Sequence, residues 1–310
     1  MDNNFLLSII VPVFNEEENI ELLLKRLLPT VQKFNYEIIF VDDGSGDATA
    51  KKIKTKINQN KNIKLISFIR NFGHQKALSA GYQFTKGDCA ITIDADLQDT
   101  PEIIPQMIEK WQKGAKIVYA KRENRDVDSF FKKQSAACFY KTINFLSDTP
   151  IPDNVGDFRL IDREVIDFIN NLTEQSLFLR GLVAWSGFPS AYVYHKREKR
   201  QTGKTHYPLT KMISFAMEGI TSFSIKPLRL ASYLGFASAT VGFLGIIYGI
   251  VGKIFMPEYW VTGWTALFVG IMFLGGIQLL TIGIIGEYIG KIYQQLQNRP
   301  QYLIKEKVNL

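Results

Sequence analysis

Asp94 and Asp96 are the residues whose type and spacing point most directly to chemistry. They close the stretch Gly87-Asp88-Cys89-Ala90-Ile91-Thr92-Ile93-Asp94-Ala95-Asp96-Leu97-Gln98-Asp99, whose apolar, β-branched centre predicts a buried strand. In an open α/β sheet, ligands bind beyond the carboxyl ends of the strands, where this cluster falls. Two apart on an extended segment, both carboxylates lean to one side, with Gln98 next in line. Hard oxygen donors beside an open position suit Mg²⁺ or Mn²⁺ carrying a diphosphate. Taken alone, an Asp-x-Asp equally describes a solvated acidic turn, so the other strand ends must decide.

Those ends are set by an alternation of strands and helices. Strands are predicted over 6–13, 37–41, 63–69, 87–93 and 116–120, and helices over 16–28, 47–58, 75–85 and 101–113. Such alternation predicts a mostly parallel sheet covered by helices on both faces. At the strand ends stand Asn15 and Glu16, Asp42 and Asp43, Arg70 and Asn71, then Asp94 and Asp96. Each could be a helix cap or turn residue by itself, but together they fall on one sheet edge. Carboxylates there can accept from the N–H groups of a base or from ribose hydroxyls, and Arg70 can stack on the base. Neither Gly-x-Gly-x-x-Gly nor a Walker lysine loop follows the first strand, which argues against dinucleotide redox chemistry and P-loop NTP hydrolysis.

Past Lys121 the alternation lapses. A charged loop is expected over 122–128, a helix over 130–146, and an irregular segment over 151–159 that carries Asp157. Asp162 caps a helix through 170; a helix over 177–185 and a strand over 191–195 follow. His74 and His195 read as structural residues. A basic run, Lys196 to Arg200, leads to a helix over 207–224 with a lysine on its polar side, placed to lie at a membrane interface.

The membrane enters with residues 230–252 and 259–286, which hold no charged residue and exceed the ~20 apolar residues that cross a bilayer. Lys253 and Met256-Pro257-Glu258 part them into a hairpin. Lys226 and Arg229 precede the first span, and Lys291, Arg299, Lys305 and Lys307 follow the second, so both termini are expected in the cytoplasm. Glycines at 242, 245, 249, 252, 275, 276, 283 and 286 allow close helix packing, within the hairpin or in a homo-oligomer, rather than a pore. With 37 Lys+Arg against 30 Asp+Glu, the net charge of +7 gathers beside the membrane, not in a nucleic-acid recognition module. Cys89 and Cys138 lack metal or redox spacing and read as reduced packing residues. No signal peptide is expected after Met-Asp-Asn-Asn.

Pro12-Val13-Phe14-Asn15-Glu16, Val41-Asp42-Asp43-Gly44-Ser45, Arg70-Asn71-Phe72-Gly73 and Asp94-Ala95-Asp96-Leu97-Gln98 resemble the inverting glycosyltransferases of family 2. Gly156-Asp157-Phe158-Arg159-Leu160, Gly203-Lys204-Thr205-His206-Tyr207 and Gly286-Glu287-Tyr288-Ile289-Gly290 extend the likeness over nearly the whole chain. It is similar to the dolichol-phosphate mannose synthase-like branch, the polyprenyl-phosphate glycosyltransferases, and within it to the bacterial bactoprenol glucosyltransferase type. The resemblance implies a GT-A (nucleotide-diphospho-sugar transferase) domain over 1–206, a juxtamembrane helix over 207–228, a two-span hairpin over 229–290 and a cytoplasmic tail over 291–310. It implies transfer of one sugar, with glucose from UDP-glucose preferred over mannose or 4-amino-4-deoxy-arabinose donors, to undecaprenyl phosphate at the inner membrane.

The same resemblance assigns residues. The nucleotide falls to Pro12, Glu16, Asp43 and Arg70, with Asp42 as the alternative at the base. Asp94 lies near the sugar-phosphate, and Asp96 with Gln98 holds Mg²⁺ or Mn²⁺, with Asp94 beside them. Arg122 faces the diphosphate. Asp157 lies beneath the reacting sugar, as base or as positioning group. Arg159, Arg200 and Lys204 are implied at the acceptor phosphate. The chain departs mildly at His206, where Lys or Arg is expected. A processive synthase is disfavoured, because Arg180-Gly181-Leu182-Val183-Ala184-Trp185 does not fit a Gln-x-x-Arg-Trp signature and two spans cannot wrap a polymer. A nucleotide-binding adaptor or a lipid flippase would have no use for Asp94, Asp96 and Asp157 together.

Overall fold

The computed structural model describes residues 4–122, 152, 155–175, 178–196, 224–255 and 263–310. The expected loop over 122–128 beyond Arg122, the helix over 130–146, the helix over 207–224 short of Ser224, Cys138, and Arg200 and Lys204 lie outside the described residues. The first half follows the predicted alternation: β1 (Leu6–Val13), α1 (Asn19–Val31), β2 (Asn35–Asp42), α2 (Thr49–Gln59), β3 (Ile63–Phe68), α3 (His74–Phe84) and β4 (Cys89–Thr92). A 3₁₀ turn (Pro101–Ile103), α4 (Ile104–Gln112) and β5 (Ile117–Arg122) follow. Then come β6 (Val155–Asp162), α5 (Arg163–Asn170), α6 (Leu179–Trp185) and β7 (Ser190–His195). Two long helices, α7 (Lys226–Phe255) and α8 (Trp264–Leu296), and a last strand, β8 (Ile304–Val308), complete it.

The strands make one eight-stranded sheet in the order β7-β5-β6-β4-β1-β2-β3-β8. β3, β2, β1 and β4 run parallel, while β6 and β8 run antiparallel to their neighbours. β1 is buried on both faces, as a strand with helices on either side must be. Its Leu7, Ile9, Val11 and Val13 join Leu23, Leu24 and Leu27 of α1 and Met107 and Ile108 of α4 in one core. Ile10 points the other way, to Ala77 and Leu78 of α3, Val165 and Ile166 of α5 and Leu182 of α6. α3 lies close: a Cβ on Gly81 would come 2.2 Å from Cγ2 of Ile10, so only glycine allows that approach.

Three expectations are corrected. Residues 155–159 are not irregular but lie in β6, paired with both β4 and β5. β4 ends at Thr92, so Asp94 and Asp96 stand on a turn beyond the strand, with Leu97 at φ +59°. The stretch left as a tail holds β8, which closes the sheet beside β3. Lys54 bonds Glu306 there at 2.7 Å, and Tyr302 stacks on Phe68 at 4.8 Å.

α7 and α8 are each long and apolar enough to cross a bilayer, and none of their apolar windows is buried within the chain. Phe236, Tyr248 and Leu279 are each more than two-thirds exposed. Surface of that kind and extent marks a membrane-associated chain.

Candidate active site

At the ends of β1, β2 and β3 the loops brace one another. Ser45 Oγ accepts from the Asn15 amide at 2.9 Å, and Asn15 Oδ1 accepts from the Gly46 amide at 2.9 Å. Asn15 sits at φ +55°, a conformation its short polar side chain tolerates. Glu16 donates its amide to Thr49 Oγ1 at 2.9 Å, and its carboxylate accepts from Asn19 Nδ2 at 2.5 Å. Buried Asp42 accepts from the Ser45 amide at 3.0 Å. Buried Asp43 takes the amides of Phe72 and Gly73 at 2.6 and 2.9 Å, which fixes the loop after β3. Burial raises the Asp43 pKa, and those two N–H groups only partly offset it. Gly44, at φ +74°, lies against the backbone of Arg70, where a Cβ would meet the Arg70 carbonyl carbon at 2.4 Å. Pro12 is buried in β1, and exposed Arg70 lays its guanidinium over the Phe72 ring at 4.0 Å.

The acidic edge comes next. Asp94, Asp96 and Gln98 are half-exposed, while Ile93, Ala95, Leu97 and Asp99 are buried. The strand-like alternation thus survives without a ladder, held by the Ile93 amide on the Ile10 carbonyl at 3.0 Å and the Gln98 amide on Asp96 Oδ1 at 3.1 Å. Asp94 is 39% exposed, yet the walls around it desolvate it and raise its pKa; Asp157 and Asp96 push the same way, against His74. Such crowding of carboxylates is what a cation relieves. Among the described residues no three His, Cys, Asp or Glu side chains form a metal cage. Two carboxylates and an amide oxygen at a solvent-facing edge instead fit a Mg²⁺ or Mn²⁺ ion completed by water and substrate oxygens.

Asp157 is the hub of the next group. It sits on β6 with Arg159 two residues on, so both face α3 and α6. Arg180 of α6 grips it with Nε at 3.0 Å and Nη2 at 2.7 Å. Arg159 Nη2 donates at 3.1 Å, His74 Nε2 lies at 3.2 Å and Gln75 Nε2 at 3.5 Å. The Thr92 hydroxyl donates to its carbonyl oxygen. Asp157 is only 4% exposed; burial alone would raise its pKa, but Arg180 and then His74 outweigh it and hold the carboxyl well below its usual range. His74 is 42% exposed and lies 3.7 Å from Asp94 Oδ1. Burial pulls its pKa down, yet Asp94 and Asp157 overcome that and lift it to about 9, so the imidazole is charged at neutral pH.

Of the residues singled out from sequence, Asp94 and Asp157 are joined through His74, and Pro12, Glu16, Asp42, Asp43 and Arg70 line the neighbouring strand ends. Arg122, at the end of β5, has Nη2 4.0 Å from Asp99 Oδ1 and packs on Gly156, where a Cβ would come within 3.1 Å of that nitrogen. Arg159, implied at the acceptor phosphate, is 1% exposed and donates to Asp157 from the same strand. The sequence reads His74 as structural, whereas it lies between Asp94 and Asp157, and it does not single out Gln75 or Arg180 as site residues. His74 and Gln75 directly follow the Arg70-Asn71-Phe72-Gly73 motif, and Arg180 opens the stretch read only as a failed signature.

A family model described as "Glycosyl transferase family 2" matches residues 8–169. A glycosyltransferase of Bacillus subtilis, YkcC, is 44% identical over 100% of this chain and 96% of its own length. The bactoprenol glucosyl transferase of Shigella phage SfX is 44% identical over 97% of this chain and 99% of that one. A prophage bactoprenol glucosyl transferase homolog of Escherichia coli is 43% identical, covering 96% and 98%. Among solved structures, glucosyl-3-phosphoglycerate synthase from Mycobacterium tuberculosis matches at 19% identity and a TM-score of 0.47, over 70% of this chain and 77% of that one.

Proposed function

The chain belongs to glycosyl transferase family 2, and we propose that it is a membrane-anchored inverting enzyme that moves one sugar from a nucleotide donor to polyprenyl phosphate. The donor is UDP-glucose, the acceptor undecaprenyl phosphate, and the reaction runs on the cytoplasmic face of the inner membrane. The names of the relatives support the sugar and the lipid; the charges flanking α7 and α8 support the sidedness. One observation carries the reading: the half-exposed Asp94 edge and the buried Asp157 hub both face His74, whose Nε2 lies 3.7 Å from Asp94 and 3.2 Å from Asp157.

In the reaction a lipid phosphate oxygen attacks the anomeric carbon as UDP departs, and the configuration inverts in one displacement. Asp94, Asp96 and Gln98 would hold a divalent cation, Mg²⁺ or Mn²⁺, which supplies charge stabilisation to the leaving diphosphate. Arg122 faces the same diphosphate, set by Asp99 and Gly156. The loops at the ends of β1, β2 and β3 seat the nucleotide. Asp157 acts as a positioning group, not a base. A carboxylate has about four lone-pair sites, and its five donors here leave no lone pair for an incoming proton. The nucleophile has little need of a base, since a phosphate monoester has its second pKa near ~6. Partly exposed Arg180 and His74 give the acceptor phosphate a positive approach.

The test is a donor screen with the full-length protein in detergent micelles, undecaprenyl phosphate and Mn²⁺ or Mg²⁺, following labelled sugar into the organic phase. Label from UDP-glucose that disappears with EDTA is expected. Transfer only from another donor would replace the sugar, and label that persists in EDTA would remove the metal from the reading.

A further inference from the structure

The polar end of α8 reaches back to the catalytic sheet and takes hold of one particular segment. Gln295 uses both halves of its amide: Nε2 donates to the Thr173 carbonyl at 2.8 Å, and Oε1 accepts from the Gln175 amide at 2.8 Å. Gln301 Nε2 donates to the Glu174 carbonyl between them at 2.8 Å. Three consecutive residues are thus held by one side chain in the last turn of α8 and one just past it. The held segment leads into α6, whose second residue is Arg180, the bidentate partner of Asp157. At its start, α6 is latched again, by the Leu179 amide on Gln75 Oε1 at 3.2 Å. Gln75 also reaches Asp157, so contacts stand on both sides of residues 176–177, which lie outside the described residues.

We propose that Gln295 and Gln301 are positioning residues: they hold residues 173–175 so that Arg180 stands against Asp157, which makes the end of the membrane helix a working part of the acceptor site. The inference rests on the reading that a lipid phosphate is the acceptor. It gives the anchor a second task. A backbone segment with few buried side chains has little to hold it in place, and amide pairs from a long helix supply that hold. On that reading, the group that receives the lipid phosphate is referenced to the membrane helix and not only to the sheet.

The test uses full-length protein in nanodiscs and the double variant Gln295→Ala/Gln301→Ala, with Gln294→Ala as a control on the same turn. Initial rates are measured against undecaprenyl phosphate, and UDP-glucose binding by calorimetry. Expected is a fall of about tenfold in kcat/KM for the lipid, as a displaced positioning group produces, with donor Kd within about twofold and the control unchanged. Equal losses in donor binding and lipid turnover, or lipid turnover within about twofold of wild type, would overturn the proposal. Hydrogen exchange over 173–185 serves as the second readout, and it decides even if the lipid is not the acceptor. Faster exchange in the double variant is expected there, and unchanged protection would refute the tie.

Discussion

Asp157 gathers Arg180, Arg159, His74 and Gln75, and a carboxylate so surrounded acts through the groups it holds. Residues that work as one unit give non-additive losses. Asp157→Asn and Arg180→Ala are each expected to lower kcat/KM for the lipid by about a hundredfold, and the double variant by little more. A double variant losing the product of the two would contradict the shared role, as would an Asp157→Asn enzyme whose only defect is a missing acidic limb in its pH profile. Removing one partner from a buried charge cluster costs about 3–5 kcal/mol, so thermal unfolding must be followed alongside. The pH dependence has a definite sign. His74 is raised from 6.5 to about 9, so its contribution is complete below pH 6.5 and lost as pH rises through about 9. Asp157 is lowered, so its contribution is present above the usual carboxylate range and lost only as pH falls through its own low value. The unfolding midpoint is therefore expected to drop between pH 6.5 and 9, and His74→Gln to lack that drop. An identical slope in the variant would assign the titration to another group. The carboxylates of this site stood out because Asp42, Asp43, Asp94 and Asp96 stand at or just past strand ends, and Asp157 lies in a motif. His74 and Arg180 did not, because their bonds to Asp157 span 83 and 23 residues and nothing local announces them.

At the scale of elements, the parallel core was readable because its strands are unbroken apolar runs and its helices carry apolar stripes. β6 was not, although it alternates. Phe158 and Leu160 face one core, and Val155, Asp157, Arg159 and Ile161 face the other. Burying an Asp and an Arg on an inward face makes the pattern look like a loop, and it is tolerated only because the two charges pair and α3 and α6 complete the shell. The turn after β4 misleads in the opposite sense: its burial alternates like a strand's, but its pairing with β1 ends at Thr92 and Leu97 sits at φ +59°. β8 was hidden by its composition. Lys305, Glu306 and Lys307 mark an edge strand, where charge discourages pairing with other chains. Placed there, β8 covers β3 and fixes the end of α8 beside the sheet, which is what brings Gln295 and Gln301 within reach of residues 173–175.

For the whole molecule, one topological fact constrains how the chain meets the bilayer. β7 and β8 belong to the same sheet, and both apolar helices lie between them. A folded sheet cannot straddle a membrane, so a chain that crosses between β7 and β8 crosses an even number of times. Among the described residues two helices have sufficient length, and under the proposed reading they make one excursion and one return. Under the proposed reading, the basic residues on the flanks, Lys226 and Arg229 before the first helix and Lys291, Arg299, Lys305 and Lys307 after the second, place the sheet on the cytoplasmic side. Cysteine accessibility in intact cells checks this. Glu258→Cys, between the helices, is expected to react with a membrane-impermeant maleimide above the wild-type background, and Gln297→Cys only after the cells are opened. Labelling of Gln297→Cys in intact cells would place the sheet outside, away from a cytoplasmic nucleotide sugar, and would overturn the assigned donor along with the topology. Labelling at both positions would break the pairing of β8 with β3, since the chain could not then return to the sheet it left.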